Sequence, residues 1–321
     1  MSIHITAYED WMKPQIAEMF SLQYNVPSTD FSELMDNFYD HPYQKEKCIR
    51  IVALEGEKVI GFQSFFYWPY FFNGKVNHSF QSGNSLVHPA YRGKGLFQQL
   101  LNYLEEHREK FGVDFLVGFP IQASRNSLLR NGWKNILDLE WFISKATPLR
   151  SLFGDEKKKL SRHFKNDSPG NTRENAINSF RLSDEHKFVE WREIYSAMQH
   201  YFYHVYSENG KSAEFTLKPS RRKKIIRELI IGNVQTENTD TAFMKNAFRD
   251  LQAAVKKSGA AAFISFACNR DSTSFPETLL AEVSFKRIDK KIFFAVKLFT
   301  ENHPAEDPSK WILFRSDIDT W

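Results

Sequence analysis

A chain of 321 residues with 42% hydrophobic and 15% aromatic residues, thirty of them Phe, has apolar area for buried sheets, which excludes a disordered chain, and is long enough for two domains. Its 43 Lys and Arg against 39 Asp and Glu leave a net +4, too small a surplus at this length to indicate a nucleic-acid partner. Cys48 and Cys268 lie far apart without a CxxC spacing, so neither a disulfide framework nor a metal site is expected. The charged N-terminus and the lack of any apolar stretch approaching about 18 residues lead to an expectation of a cytoplasmic protein without a membrane partner.

In chain order, the first half alternates strand and helix signals. A strand is expected at Ile3–Tyr8, and a helix from Asp10, with Trp11, Ile16, Met19 and Phe20 at helical spacing. A second helix is expected over Phe31–Asp40. Ile51–Leu54 and Val59–Tyr67, separated by Glu55-Gly56-Glu57-Lys58, read as an antiparallel hairpin. A third strand begins near Val76 after Asn73-Gly74 and leads into a glycine-rich loop. Beyond that loop, Leu96, Phe97, Leu100, Leu101, Leu104 and Phe111 share one face of a helix over Leu96–Phe111, and the strand Phe115–Phe119 follows. A strand, loop, helix and strand in this order imply a right-handed crossover between parallel neighbours. The loop then lies at the carboxyl end of the first strand, where open α/β sheets bind ligands.

The segment 148–178 is expected to be a polar helix and linker, carrying Lys157-Lys158-Lys159 and then Ser168-Pro169-Gly170-Asn171. Its basic run could touch phosphates or lipid, although a solvated helix face explains it more simply. From residue 179 a second α/β unit is expected. It has helices around Phe188–Tyr201 and Ala242–Lys257, and strands near His204–Tyr206, Ser212–Leu217, Ile225–Val234, Ala261–Cys268, Ile292–Phe299 and Trp311–Phe314.

The chemistry concentrates in Val87-His88-Pro89-Ala90-Tyr91-Arg92-Gly93-Lys94-Gly95-Leu96-Phe97. Two glycines let the backbone turn so that successive amide N–H groups point into one concavity at a helix N-terminus, and such a concavity binds anions. The helix dipole, Arg92 and Lys94 add positive charge, making a seat for a pyrophosphate. Pro89 removes one donor and biases His88 to an extended conformation, which ends the strand there.

This wording, between a strand and a helix, resembles the acyl-CoA signature of the GNAT acyltransferase superfamily, specifically over Gln81–Leu101 and diffusely over the rest of residues 1–147. The resemblance implies a mixed α/β sheet flanked by helices, with acetyl-CoA as co-substrate. It further implies that main-chain groups of Leu86 and Val87 receive the pantetheine arm, while Arg92, Gly93, Lys94, Gly95, Leu96 and Phe97 hold the pyrophosphate. Phe97 replaces the family's usual Gly or Ala. Gly132-Trp133 matches a later Gly-aromatic pair, but Ile121 and Leu128 stand where the family often has Asn and a Tyr acting as general acid. Ser124 and Asn126 lie nearby at other spacings.

Acyl transfer from a thioester to an amine needs a neutral amine, a polarised carbonyl and a proton for the leaving thiolate. Candidates are few. Asn84 and Ser85 lie on the strand beside the loop, but an amide cannot accept a proton at neutral pH. His88, Tyr91 and His78 are further candidates, with a structural role the simpler reading of each histidine. Tyr67, Trp68, Tyr70 and Phe71 could line an acceptor pocket, although core packing explains them as well.

The second half, with Phe188-Val189-Glu190-Trp191-Arg192 and the ending Ser316-Asp317-Ile318-Asp319-Thr320-Trp321, resembles two-part bacterial GNAT proteins, in which a degenerate second GNAT-like half (here 179–321) walls the acceptor cleft. No second glycine turn follows an apolar strand there, so no second CoA is expected. Asp317 and Asp319 could bind an amine, and Arg221-Arg222-Lys223-Lys224 could steer an acidic acceptor, but both also read as plain surface. The expected function is transfer of an acetyl group from CoA to a small-molecule amine, with an amino sugar as candidate acceptor. The alternatives are a non-catalytic acyl-CoA-binding module and tRNA-dependent aminoacyl transfer.

Overall fold

The computed structural model describes residues 2–167, 178–195, 200–236, 239–269 and 275–319. In chain order its first elements are β1 (Ile3–Ala7), α1 (Lys13–Tyr24), α2 (Ser28–Phe38), β2 (Ile49–Glu55), β3 (Lys58–Tyr67), β4 (Tyr70–Phe72), β5 (Lys75–Asn77), β6 (Ser79–Val87), α3 (Leu96–His107), β7 (Phe115–Gly118) and α4 (Gln122–Arg130). There follow β8 (Lys134–Lys145), α5 (Pro148–Ser151), α6 (Glu156–Ser161), β9 (Arg181–Leu182), α7 (His186–Tyr195), β10 (Phe202–Glu208), β11 (Lys211–Arg222), β12 (Ile226–Thr236), α8 (Thr241–Ser258), β13 (Phe263–Asn269), α9 (Glu277–Glu282) and β14 (Lys286–Leu298).

The chain forms two compact units that interleave in sequence. One takes Met1–Ile136, Leu182–Ser196 and Phe294–Glu306; the other takes Leu137–Arg181, Ala197–Phe293 and Asp307–Trp321. In the first, strands run in the order β1-β2-β3-β6-β7, antiparallel except for the parallel pair β6 and β7, and Ala295–Leu298 of β14 adds antiparallel to β7. The sequence dictates this frame directly. β2 and β3 are buried on both faces, so they read as continuous apolar runs, and the Glu55–Lys58 pair closes the expected hairpin. Leu96, Leu100, Leu101 and Leu104 form the buried face of α3, which packs on β1, β2 and β3. Phe38 of α2 meets Phe66 and Trp191 edge to face, both at ring centroids within 4.9 Å, and this ties α7 into the same core.

In the second unit the order is β8-β13-β12-β11-β10. β12 and β13 are parallel and joined through α8, whose Phe243, Ala247, Phe248, Leu251 and Val255 are buried against Phe215, Ile264, Phe266 and Phe285. The parallel pair with its crossover helix therefore occurs in both units, as the element order suggested.

Several expected elements differ. The helix written to Phe111 ends at His107, because Gly112 takes a left-handed φ of 62° and the last turn closes through Phe111 and Gly112. The strand near Val76 is not continuous with the strand into the loop. β5 pairs with β4 around Asn73 and Gly74, both at positive φ, and β6 starts afresh at Ser79. Trp311–Phe314 is not a strand: Trp311 and Phe314 each make one isolated bridge, to Phe180 and Cys268, before the tight turn Arg315–Asp317. The run Trp311-Ile312-Leu313-Phe314 is apolar throughout, and Trp311, Leu313 and Phe314 bury individually. The residues Ser168-Pro169-Gly170-Asn171 lie outside the described residues.

Candidate active site at the end of strand β6

The first unit opens where β6 and β7 part. Their parallel register runs from Ser79 opposite Phe115 to Ser82 opposite Gly118 and stops there. β7 then ends and the chain turns into α4, while β6 continues to Val87 paired only with β3. Within this stretch a bulge sets Asn84 and Ser85 against the single residue Gln63, since Phe62 faces Leu86 and Ser64 faces Gly83. Asn84 takes φ 49°, a left-handed value that Asn tolerates better than most residues. A bulge bends its strand and re-aims its groups. Residues 83–87 thus leave β7 behind and keep β3 as their only strand neighbour.

A buried polar network braces the bulge. Tyr39 Oη lies 2.7 Å from Ser64 Oγ and accepts from the Asn84 amide at 2.5 Å. Ser64 Oγ donates to the Gly83 carbonyl at 2.7 Å, Gln63 Nε2 donates to Ser82 Oγ at 3.1 Å, and Ser85 Oγ donates to Gln63 Oε1. Tyr39, Gln63 and Ser64 are fully buried. Sequence reasoning passed over them, although Gln63-Ser64 inside the otherwise apolar run of β3 is the signal that marks them. Buried polar groups without partners are costly, so their pairing fixes the bulge in one geometry.

The loop follows at once. The His88 N–H returns to the Ile60 carbonyl at 2.9 Å, and its Nδ1 accepts from the Ala90 N–H at 3.3 Å, which closes the turn Pro89–Tyr91. That hydrogen bond requires an unprotonated Nδ1, so His88 is engaged in shaping the loop. Tyr91 donates to Glu55 Oε2 at 2.5 Å, and this bond raises the phenol above its ordinary pKa, which keeps it protonated at neutral pH. Lys94 Nζ sits 4.8 Å from the Tyr91 ring centre. The Arg92 guanidinium folds back onto the Val87 carbonyl at 3.1 Å and Gln23 Oε1 at 2.5 Å, so it anchors the loop to β6 and α1 as well as supplying charge.

Gly93 and Gly95 have φ of 76° and 75°, and a Cβ on either would meet nothing within 4 Å. The left-handed backbone makes both positions glycine positions, and the space beside them is open. Gly95 is the N-cap of α3 and offers no side-chain cap, so the first N–H groups of this helix face that space. Leu96 is buried in the core and Leu86 nearly so; each can serve a ligand only through its main chain. Phe97 is half-buried.

The other candidates are placed elsewhere or spoken for. Leu128 is buried on α4, against Gly118, with no hydroxyl to offer. Trp133 also packs on Gly118, and Gly132 at φ 75° leaves room for Lys297, whose Nζ donates to the Asn131 carbonyl at 2.7 Å. Ser124 donates to the Ile121 carbonyl at 3.2 Å, Asn126 is exposed, and Ile121 projects 72% exposed at the start of α4. His78 precedes the far end of β6, roughly 25–30 Å along the strand from Val87 at about 3.3 Å per residue. It bonds Tyr67 at 3.1 Å in a separate cavity of about 680 Å³ lined also by Lys47, Phe80 and Glu185. Burial pushes the Tyr67 phenol up to about 12, with Glu185 and Asp114 adding to the rise. Trp68 and Tyr70 are core residues.

In the second unit the corresponding helix start is closed. Asp240 caps α8, its carboxylate accepting from the Ala242 and Phe243 N–H groups at 3.0 Å each, so an anionic side chain occupies the place that α3 leaves free for a ligand. Asp317 is buried, with Oδ2 accepting from the Phe314 N–H at 2.5 Å. Among the described residues no group of three His, Cys, Asp or Glu gathers as a metal site would, and no helix is long and apolar enough to cross a membrane.

Residues 5–135 match the model of the acetyltransferase (GNAT) domain. Among solved structures, a conserved protein of unknown function from Enterococcus faecalis V583, described as a probable N-acyltransferase, superposes with TM-score 0.64 at 13% identity, covering 93% of this chain and 73% of that one. GCN5-related N-acetyltransferases from Anabaena variabilis (TM-score 0.59, 10% identity, 93% and 73% covered) and Kribbella flavida (0.54, 14%, 92% and 72%) are similar. Identities this low establish likeness of fold, and the coverage extends that likeness over both units. No curated protein matches the sequence.

Proposed function

From a chain whose residues 5–135 match the acetyltransferase (GNAT) domain, we propose an enzyme that moves an acyl group, acetyl first among candidates, from acyl-CoA to the amine of a small molecule. An amino sugar is the first acceptor class to test. The observation that carries this reading is the uncapped start of α3, where Gly93 and Gly95 at positive φ border open space beyond the end of β6. In this reading the amides from Gly93 to Phe97, with Lys94, hold the pyrophosphate, and the main chain of Leu86 and Val87 holds the pantetheine. The parted edge of β6 supplies N–H donors that polarise the thioester carbonyl.

The amine, once neutral, attacks the carbonyl carbon; the C–N bond forms, the C–S bond breaks, and the amine proton ends on the thiolate or in solvent. A thiol with pKa of about 8.5 leaves readily enough that Leu128 in place of a hydroxyl donor slows this step without forbidding it.

Two measurements test the proposal. Titration of acetyl-CoA should show saturable binding to the wild-type chain and at least a tenfold loss in Gly95→Val, whose branched side chain occupies the concavity and resists positive φ. Release of free CoA thiol across an amine panel should reveal turnover with at least one acceptor. Unchanged affinity in folded Gly95→Val would remove the site. Because Leu128 supplies no acid, binding without turnover across the panel would favour the acyl-CoA-binding module instead. Salt-sensitive tRNA binding would favour aminoacyl transfer.

A further inference from the structure

We propose that the second unit carries a docking surface for an anionic lipid bilayer, made of α5 with the loop after it and the tip of the β11–β12 hairpin. Leu149, Leu152, Phe153 and Ile225 are 78%, 63%, 72% and 75% exposed, and these four large apolar side chains belong to two segments that the structure joins. Arg227 donates to the Phe153 and Gly154 carbonyls at 3.3 and 2.8 Å, and Arg221 pairs with Glu156 at 2.7 Å. Arg221 and Arg227 face each other across the hairpin, so its tip, Lys223-Lys224-Ile225, lies just beyond those anchors.

The apolar loop is built rather than slack. Lys159 Nζ donates to the carbonyls of Arg150, Phe153 and Gly259 at 2.8, 2.7 and 2.9 Å. The backbone of residues 150–154 therefore turns its polar groups inward, onto Lys159 and Arg227, and its leucine and phenylalanine side chains outward. A soluble surface gains nothing from presenting them this way, whereas a lipid interface does.

Charge selects the kind of lipid. Residues 145–165 and 221–227 hold twelve of the chain's 43 Lys and Arg residues and only two acidic ones, Asp155 and Glu156. Glu156 is spent on Arg221, and Asp155 caps α6 through the Lys158 N–H at 3.0 Å. Arg150, Lys157, Lys158, Lys223 and Lys224 are exposed. The hairpin tip adds a separate observation: Lys223 and Lys224 hold φ of 50° and 66°, where glycine or asparagine would sit with less strain. Two lysines kept in that backbone at the tip of an apolar hairpin fit contact with lipid headgroups. Three of the four exposed apolar side chains are aliphatic, which favours a bilayer over a nucleic acid, bound by aromatic stacking and polar contacts. The surface contact needs no membrane-spanning helix, so it replaces the sequence-based expectation of no membrane partner with a peripheral one.

The test is co-sedimentation of the full chain with phosphatidylcholine vesicles with and without phosphatidylglycerol. The chain should pellet with the anionic vesicles and progressively less as salt is raised. Lys223→Gly with Lys224→Gly relieves the strained turn, so that variant folds at least as well and should partition at least roughly tenfold less. Leu152→Ser with Phe153→Ser should lose binding to a similar extent. Equal partition into neutral and anionic vesicles, or wild-type partition by both double variants, would overturn the proposal. So would tRNA binding or self-association, abolished by the same variants, in a chain that leaves vesicles untouched.

Discussion

Gly83 is a residue at which one added methyl group would disturb the core beside the bulge. A Cβ placed there would come within 2.7 Å of the Phe66 ring, which is fully buried and cannot retreat. Its carbonyl meanwhile accepts from Ser64 in the network that braces the bulge. Gly83→Ala is expected to destabilise the first unit by about 1–3 kcal/mol, as small-to-large changes in packed cores do. Urea unfolding followed by tryptophan fluorescence would read it, and a midpoint equal to wild type would mean that Phe66 has room to move. Gly93 and Gly95 present the opposite case. Their Cβ space is empty, so what a side chain would cost there is backbone strain and lost ligand space. Among the catalytic candidates, His88 and Tyr91 are each committed to a hydrogen bond within the loop or to Glu55, and Asn84 to Tyr39. These commitments describe a rigid frame around the end of β6 more than a set of free acids and bases.

At the scale of elements, α3 and α8 are counterparts with opposite ends. Both follow a strand, cross over and return to a parallel neighbour, but α3 starts at an uncapped glycine and α8 at Asp240. Replacing Asp240 by Ala should cost about 1 kcal/mol, the ordinary loss for an N-cap carboxylate with two amide partners. Equilibrium denaturation checks this, and no loss would show that the Ala242 and Phe243 amides find other acceptors. The same comparison explains where element reading from sequence succeeded. The apolar spacing of Leu96, Leu100, Leu101 and Leu104 marked α3, and the helix expected over Ala242–Lys257 is α8. It failed at Trp311–Phe314, because a short unbroken apolar run reads as a buried strand whether or not its residues pair in a ladder. Gln63 and Ser64 went unnoticed because polar residues in an apolar strand acquire meaning only once a bulge on the neighbouring strand faces them.

For the whole molecule, the two compact units each have a core of their own, and the proposed ligand belongs to one of them. Acetyl-CoA at a hundredfold excess over its Kd should stabilise the folded chain by about 2.7 kcal/mol, seen as a rise in the thermal midpoint. The rise should fall to about 1.4 kcal/mol or less in Gly95→Val and persist in full in Lys223→Gly with Lys224→Gly. An undiminished rise in Gly95→Val would place the nucleotide away from the α3 terminus.

The sequence by itself determined that the chain is a globular α/β protein, that a glycine turn stands between a strand and an amphipathic helix, and that the wording of this turn resembles an acyl-CoA signature. These are local properties, set by composition, periodicity and the φ freedom of glycine. Only the tertiary structure decided that β6 parts from β7 beyond Ser82, that a bulge at Asn84 is braced by Tyr39, Gln63 and Ser64, and that His78 sits at the far end of the strand from the turn. It also decided that Lys159 and Arg227 turn one short loop inside out. Each of these depends on strand register and on hydrogen bonds between residues distant in sequence, which no local pattern encodes.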